Sequence, residues 1–258
     1  MNAEAARAAG DPPGGVTRRR LVRGGLAMAA AAALAGGVIE YDMHRRRPPR
    51  LLRRGDRGAA VREVQIQVAG WVRDPGDLEG KRFLPITGVY DAATEQAVRR
   101  FQRGYALGVD HGMIDAATRS TLASLVRPNG STIHFPWDEL FRGYSDNVIT
   151  PAIHENTRRL MFKLQALRRK LGDIPVSIKA GFREHAANDH ESSIGDDRFH
   201  AIGAAVDFTA FGVPRDRWYK MALSCGFTGL GPVDRHWQHC DSRMELGAEE
   251  PWYASSSG

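Results

Sequence analysis

Apolar residues at helical spacing organise the first half of the chain. Val61, Val64 and Val68 share one helix face within RRGDRGAAVREVQIQVAGW (53–71), and Ala97, Val98 and Phe101 share another. The second face belongs to an internal repeat, since TGVYDAATEQAV (87–98) recurs 24 residues later as HGMIDAATRSTL (111–122). In each copy a glycine suits a tight turn, and an aspartate, Asp91 or Asp115, can cap the following helix by accepting from free amides of its first turn. Three short helices are therefore expected over 51–126.

A much longer apolar stripe follows a short Arg127-Pro128-Asn129-Gly130 linker. Ile153, Thr157, Leu160, Met161, Leu164, Leu167 and Leu171 predict one long helix, with Thr150 as its cap, Pro151 in its first turn and Gly172 at its end. Arg158, Arg159, Lys163, Arg168, Arg169 and Lys170 read as its solvated faces. The pattern then changes to short strands: Pro175–Ala180 with Val176 and Ile178 on one side, AAVDFTA (204–210), and HWQHCDS (236–242). One long helix against several short strands predicts an α+β domain over 131–246, with 247–258 as a polar tail.

Composition narrows the setting. The 258 residues are 42% hydrophobic and 26% charged, as in ordinary globular proteins of about two domains. The net charge of +6 sits mostly in residues 1–50, which hold nine Arg and four acidic residues, so a nucleic-acid partner is not expected. Within that stretch, TRRRLVR (17–23) is a twin-arginine pattern, followed by sixteen uncharged residues, 24–39. That run is shorter than the roughly 20 residues of a membrane span. Residues 1–39 thus read as a twin-arginine export signal, which if uncleaved would be a membrane anchor, and 40–50 as a charged linker. Cys225 and Cys240 fit an exported protein with one optional disulfide, or two small buried residues.

Candidate chemistry centres on FHAIGAAVDF (199–208). A carboxylate, Asp207, stands between Val206 and Phe208, where burial is expected, and a buried carboxylate needs a partner or a metal. Alternation lets Asp207 face a polar site while Val206 and Phe208 face the core. His200 precedes it by seven residues, and His239 could join from a nearby strand. Two imidazoles and one carboxylate with a position left open form a catalytic zinc arrangement. No serine-nucleophile motif, phosphate-binding glycine loop or cysteine zinc cluster accompanies it. His185 and His190 match no ligand spacing, and His111, His134 and His154 read as packing or surface residues.

Two resemblances sharpen these readings. Residues 51–126 resemble the peptidoglycan-binding module found beside cell-wall hydrolases, through Gly55-x-x-Gly58-x-x-Val61, Gln65, the two Gly-x-x-Asp-x-x-Thr copies and Ala97-Val98-x-x-Phe101-Gln102. Residues 131–243 resemble the zinc D-Ala-D-Ala peptidases, through His200-x-x-Gly203-x-Ala205-x-Asp207 and His239, with Lys163–Arg168, Gly181-Phe182-Arg183, Gly226-Phe227-Thr228 and Leu230-Gly231-Pro232 in support. Among them the chain is most like the secreted zinc carboxypeptidases of actinomycetes. The resemblance implies that His200, Asp207 and His239 ligate zinc and that Arg183 binds the substrate carboxylate or stabilises the oxyanion. It places the general base either as a histidine two residues before the last ligand or as an acid three before it. Here Trp237 and His236 stand at those positions, which makes His236 the candidate base and Asp234 the reserve. Arg198 replaces the serine usual two residues before the first ligand. The implied activity is removal of the terminal D-alanine from peptidoglycan stem peptides by a monomer. Endopeptidase cleavage of crosslinks and wall binding without catalysis are the alternatives.

Overall fold

A computed structural model describes residues 51–253 apart from 78, 81, 185–196 and 233–235. The leader, the linker to residue 50, Asp234, His185 and His190 lie outside the described residues. The described residues all fall within one compact unit. No helix among the described residues is long and apolar enough to cross a membrane.

The N-terminal region is built from α1 (Ala59–Gln67), α2 (Ala92–Gly104) and α3 (Ala116–Ser124). Both repeat aspartates cap as expected: Asp91 Oδ1 accepts from the Thr94 amide and Asp115 Oδ1 from the Thr118 amide, each at 2.8 Å. The repeat has a second common part. Fully buried Gln65 accepts from the Gly88 amide and donates to Val89 O and Thr94 Oγ1. Fully buried Gln102 treats Gly112, Met113 and Thr118 in the same way. Each glutamine thus satisfies the backbone of one turn that would otherwise lie unpaired in the core.

The C-terminal region joins α4 (Trp137–Leu140) and the long α5 (Pro151–Lys170) to a five-stranded sheet of order β1-β2-β4-β3-β5. The strands are β1 (Val176–Ala180), β2 (Ala205–Ala210), β3 (Gly229–Leu230), β4 (Gln238–Asp241) and β5 (Trp252–Tyr253). Short α6 (Asp197–Ala201) leads into β2, and α7 (Arg215–Ser224) into β3. All pairings are antiparallel except β3 with β5. One detail departs from the sequence reading. Within the expected polar tail, Trp252–Tyr253 forms a strand, because Trp252 donates its amide to Thr228 O and extends the sheet beside β3. Cys225 and Cys240 carry free thiols; both are fully buried, which pushes their pKa values up.

Helix α5 runs through the centre of the molecule. Its apolar stripe is buried as predicted, but its cations are not simply solvated. Lys163 is completely buried, paired with Glu245 and donating to Gly226 O at 2.9 Å and Ser242 Oγ at 2.8 Å. Its charge is tolerated there because all three ammonium protons find acceptors. Lys170 donates to Arg73 O and Ser224 O. Arg158 pairs with Glu63 on α1, and Glu155 accepts from both Arg159 and Arg62. Those pairs, together with a close approach at Gly70, seat α1 on α5; a Cβ at Gly70 would lie 2.4 Å from Ala166 Cβ. One apolar core continues from Val61 and Phe101 through Leu160 and Leu164 to Val206 and Phe208.

The turn that aims α6 at β2 depends on Gly203. Its φ of +71° favours glycine, and a Cβ would meet Thr157 Oγ1 at 2.5 Å and Ile153 O at 2.7 Å. Thr157 Oγ1 donates to Gly203 O, and Asn156 Nδ2 to Ile202 O, which pins the turn to α5. We predict that Gly203→Ala lowers unfolding free energy by about 3 kcal/mol, from backbone strain plus overpacking. Gly212→Ala, at φ +76° with open space around it, should cost only about 1 kcal/mol. Urea unfolding midpoints at unchanged m-value would check both.

Candidate metal centre

Register brings the first two chemical groups together. On the central strands Asp207 pairs directly with His239, so a carboxylate and an imidazole emerge on the same face of the sheet. Ala180 of β1 stands on the other side of Asp207. His200 enters from α6, delivered by the Gly203 turn. His200 Nε2, Asp207 Oδ1 and His239 Nδ1 then form a triangle with sides of 2.9, 3.3 and 3.5 Å. All three residues are buried.

That triangle fits a metal. Four donors around zinc at about 2.0–2.1 Å in tetrahedral geometry stand about 3.3 Å apart. The observed sides bracket that value, and the fourth corner is supplied by no residue of the triad. The donor types, two imidazoles and one carboxylate, suit zinc among first-row ions. Burial by itself would raise the Asp207 pKa, but the contacts with His200 and His239 outweigh it and hold the carboxyl well below its usual range.

Partners behind the three side chains select which nitrogen faces the triangle. His200 Nδ1–H donates to Gly181 O at 2.6 Å, which leaves Nε2 as the inward lone pair. Gly181 can present its carbonyl there because it lies hard against α4. A Cβ would meet Leu140 O at 2.3 Å, and Phe182 N donates to that same oxygen. His239 is oriented the other way round, with Nε2 3.3 Å from Asp241 Oδ2. Asp241 is completely buried. It was not singled out from sequence, although it stands two residues after His239 on one strand and so shares its face.

The remaining candidates sit on segments adjoining, in sequence, those that hold the triad. Arg183 is half-buried, two residues beyond the carbonyl that holds His200. His236 is exposed just before β4, with Nδ1 3.5 Å from Arg215 Nη2. Trp237 is partly exposed beside it. Arg198 is exposed, its guanidinium 4.5 Å from the centre of the Phe199 ring. The other described histidines pack locally: His111 on Asp115, His134 on Gln165 and His154 against Trp137.

Comparison with known proteins agrees with this division of labour. Residues 57–122 match the family model for a putative peptidoglycan binding domain. Residues 133–241, which contain the whole triad, match the model for peptidase M15. A zinc D-Ala-D-Ala carboxypeptidase from Streptomyces albus G is 35% identical over 213 residues, 80% of each chain.

Removing one corner of the triangle should abolish tight metal binding while sparing the fold. We predict that Asp207→Asn and His200→Ala each weaken zinc binding by at least about 100-fold, since loss of a direct ligand should exceed the 10–100-fold typical of outer partners. Competition against a chromophoric chelator, with circular dichroism to confirm folding, would check this.

Proposed function

The chain belongs to the M15 peptidase family, and we propose that it acts as an exported, zinc-dependent D-Ala-D-Ala carboxypeptidase on the stem peptides of peptidoglycan. The observation that carries this reading is the buried donor triangle of His200, Asp207 and His239, whose dimensions and donor types suit zinc with one coordination position left over. When bound, zinc supplies Lewis acidity, polarising a carbonyl and making water nucleophilic near neutral pH.

The chain's own side chains do the rest. Arg183 anchors the substrate's terminal carboxylate, because a guanidinium offers a planar, permanently charged pair of donors. It is carried by the segment leaving β1, whose preceding carbonyl at Gly181 also holds His200. Anchoring and metal binding therefore share one rigid support. His236 takes the proton from the attacking water and returns it to the leaving amine. An imidazole can both take and return a proton in general acid–base catalysis, and that of His236 is exposed just before β4. The terminal D-alanine then departs.

The N-terminal helices hold the enzyme on its polymeric substrate and raise the local concentration of cleavable bonds. The three donors come from one chain, and the reading takes the enzyme to act as a monomer. Export by the twin-arginine pattern of residues 17–23 completes the reading.

Incubating purified muropeptides with the protein, with and without a chelator, tests the activity by mass spectrometry. Chelator-sensitive loss of one alanine from pentapeptide stems is expected. Conversion of crosslinked dimers to monomers would instead identify an endopeptidase, and no change with folded, zinc-loaded protein would leave only wall binding. His236→Ala should lower kcat by about 10²–10⁴-fold with zinc content unchanged; near-normal turnover would remove His236 as the base.

A further inference from the structure

We propose that Asp241 and Arg243 form a single positioning unit, which fixes His239 as an Nδ1 metal ligand and braces the element carrying His200. The inference rests on the metal reading above and concerns residues outside the donor triangle.

Asp241 is a charge placed where water cannot reach it. Such a group needs compensation from every side, and here each partner is identifiable. The Arg243 amide donates to Oδ1 at 2.9 Å, and Arg243 Nε donates to the same oxygen at 3.0 Å. Arg243 Nη2 donates to Oδ2 in a short charged contact, Arg243 Nε also reaches Oδ2 at 3.1 Å, and His239 Nε2 approaches the same oxygen at 3.3 Å. An ionised carboxylate can only accept, so the proton of this contact must sit on His239 Nε2. The lone pair is then on Nδ1, the atom that stands 2.9 Å from Asp207 Oδ1 and 3.3 Å from His200 Nε2.

The two histidines are thus held in opposite tautomers by two different acceptors, the Gly181 carbonyl and the Asp241 carboxylate. Either ring in the wrong tautomer would point an N–H at the metal position. Room for the carboxylate has been made on the neighbouring strand. Gly229 is the register partner of Asp241, and a Cβ there would meet the Asp241 carboxylate at 2.1 Å.

Arg243 does more than neutralise Asp241. Its guanidinium lies 4.9 Å from the Phe199 ring centre and 4.8 Å from that of Trp252. Phe199 is the residue before His200, and Trp252 comes from β5, whose ring meets His239 edge-on at 6.1 Å. One side chain therefore touches α6, β4 and β5 together. Planarity is what permits this: a fork toward the carboxylate and flat faces toward the rings, neither of which an ammonium provides.

The test uses the full-length protein, nitrogen-15 labelled at histidine. In the wild type, long-range proton–nitrogen NMR should show His239 protonated at Nε2 and His200 at Nδ1; a proton on His239 Nδ1 would overturn the proposal whatever the variants do. Asp241→Asn, Arg243→Lys and the charge-neutral pair Asp241→Asn/Arg243→Gln should each weaken zinc binding by about 10–100-fold, read by chelator competition. The visible bands of the cobalt-substituted protein should shift in position, a change that loss of stability alone would not produce. Any of these variants that folds with wild-type zinc affinity and an unaltered cobalt spectrum would also overturn it. If the wild type binds no zinc at all, the metal reading falls, and the tautomer measurement still decides whether Asp241 sets His239.

Discussion

Burying a carboxylate inside a sheet is the constraint around which this molecule is arranged. Asp207 stands directly across from His239, flanked by residues that belong to the core. A shift of one residue in that register would send Asp207 into the apolar layer and His239 away from it. The centre therefore depends on strand pairing as much as on the identity of its ligands. The pairing in turn depends on what lies behind it: apolar Val206 and Phe208 facing the core that α5 completes.

Helix α5 supports the site in two further places. Near its start, Asn156 and Thr157 hold the turn that presents His200. Nearly two turns later, Lys163 reaches Ser242 and Glu245, on either side of Arg243. The same rigid rod thus fixes both histidine-bearing segments relative to each other. Hydrogen bonds to buried charged groups are worth more than those between neutral ones, and leaving a partner unpaired costs more still. The helix could not be repacked without disturbing the donor triangle.

Much of this was legible in the chain. The repeat declared its own caps, because aspartate before a helix has one dominant use, and Asp91 and Asp115 perform it. The unusual acid in a strand raised the question of its partner, and the likeness of His200-x-x-Gly203-x-Ala205-x-Asp207 and His239 to a zinc-peptidase signature suggested the donor set. Other features could not be read, for a common physical reason. Whether a charged side chain is buried depends on partners distant in sequence. Lys163 lies on a helix face that looks solvated until Gly226, Ser242 and Glu245 are placed around it. Asp241 and Arg243 are two residues apart in a polar stretch, and only the position of Gly229 and two aromatic rings reveals their cavity. Trp252 and Tyr253 are too few to signal a strand by alternation; they form one because β3 offers an edge.

The shared core of the two regions has a mechanical consequence. A catalytic domain on a flexible leash searches a sphere around its anchor, and the length of the leash sets how far it reaches. Here α1 lies against α5 with backbone-close contact at Gly70 and ion pairs at Glu63 and Glu155, so there is no leash. Gripping the polymer at one end fixes where the blade falls at the other. Such an enzyme works like a caliper: it can address only those bonds that stand at its own fixed offset from the gripped site, and it must release and rebind to reach the next.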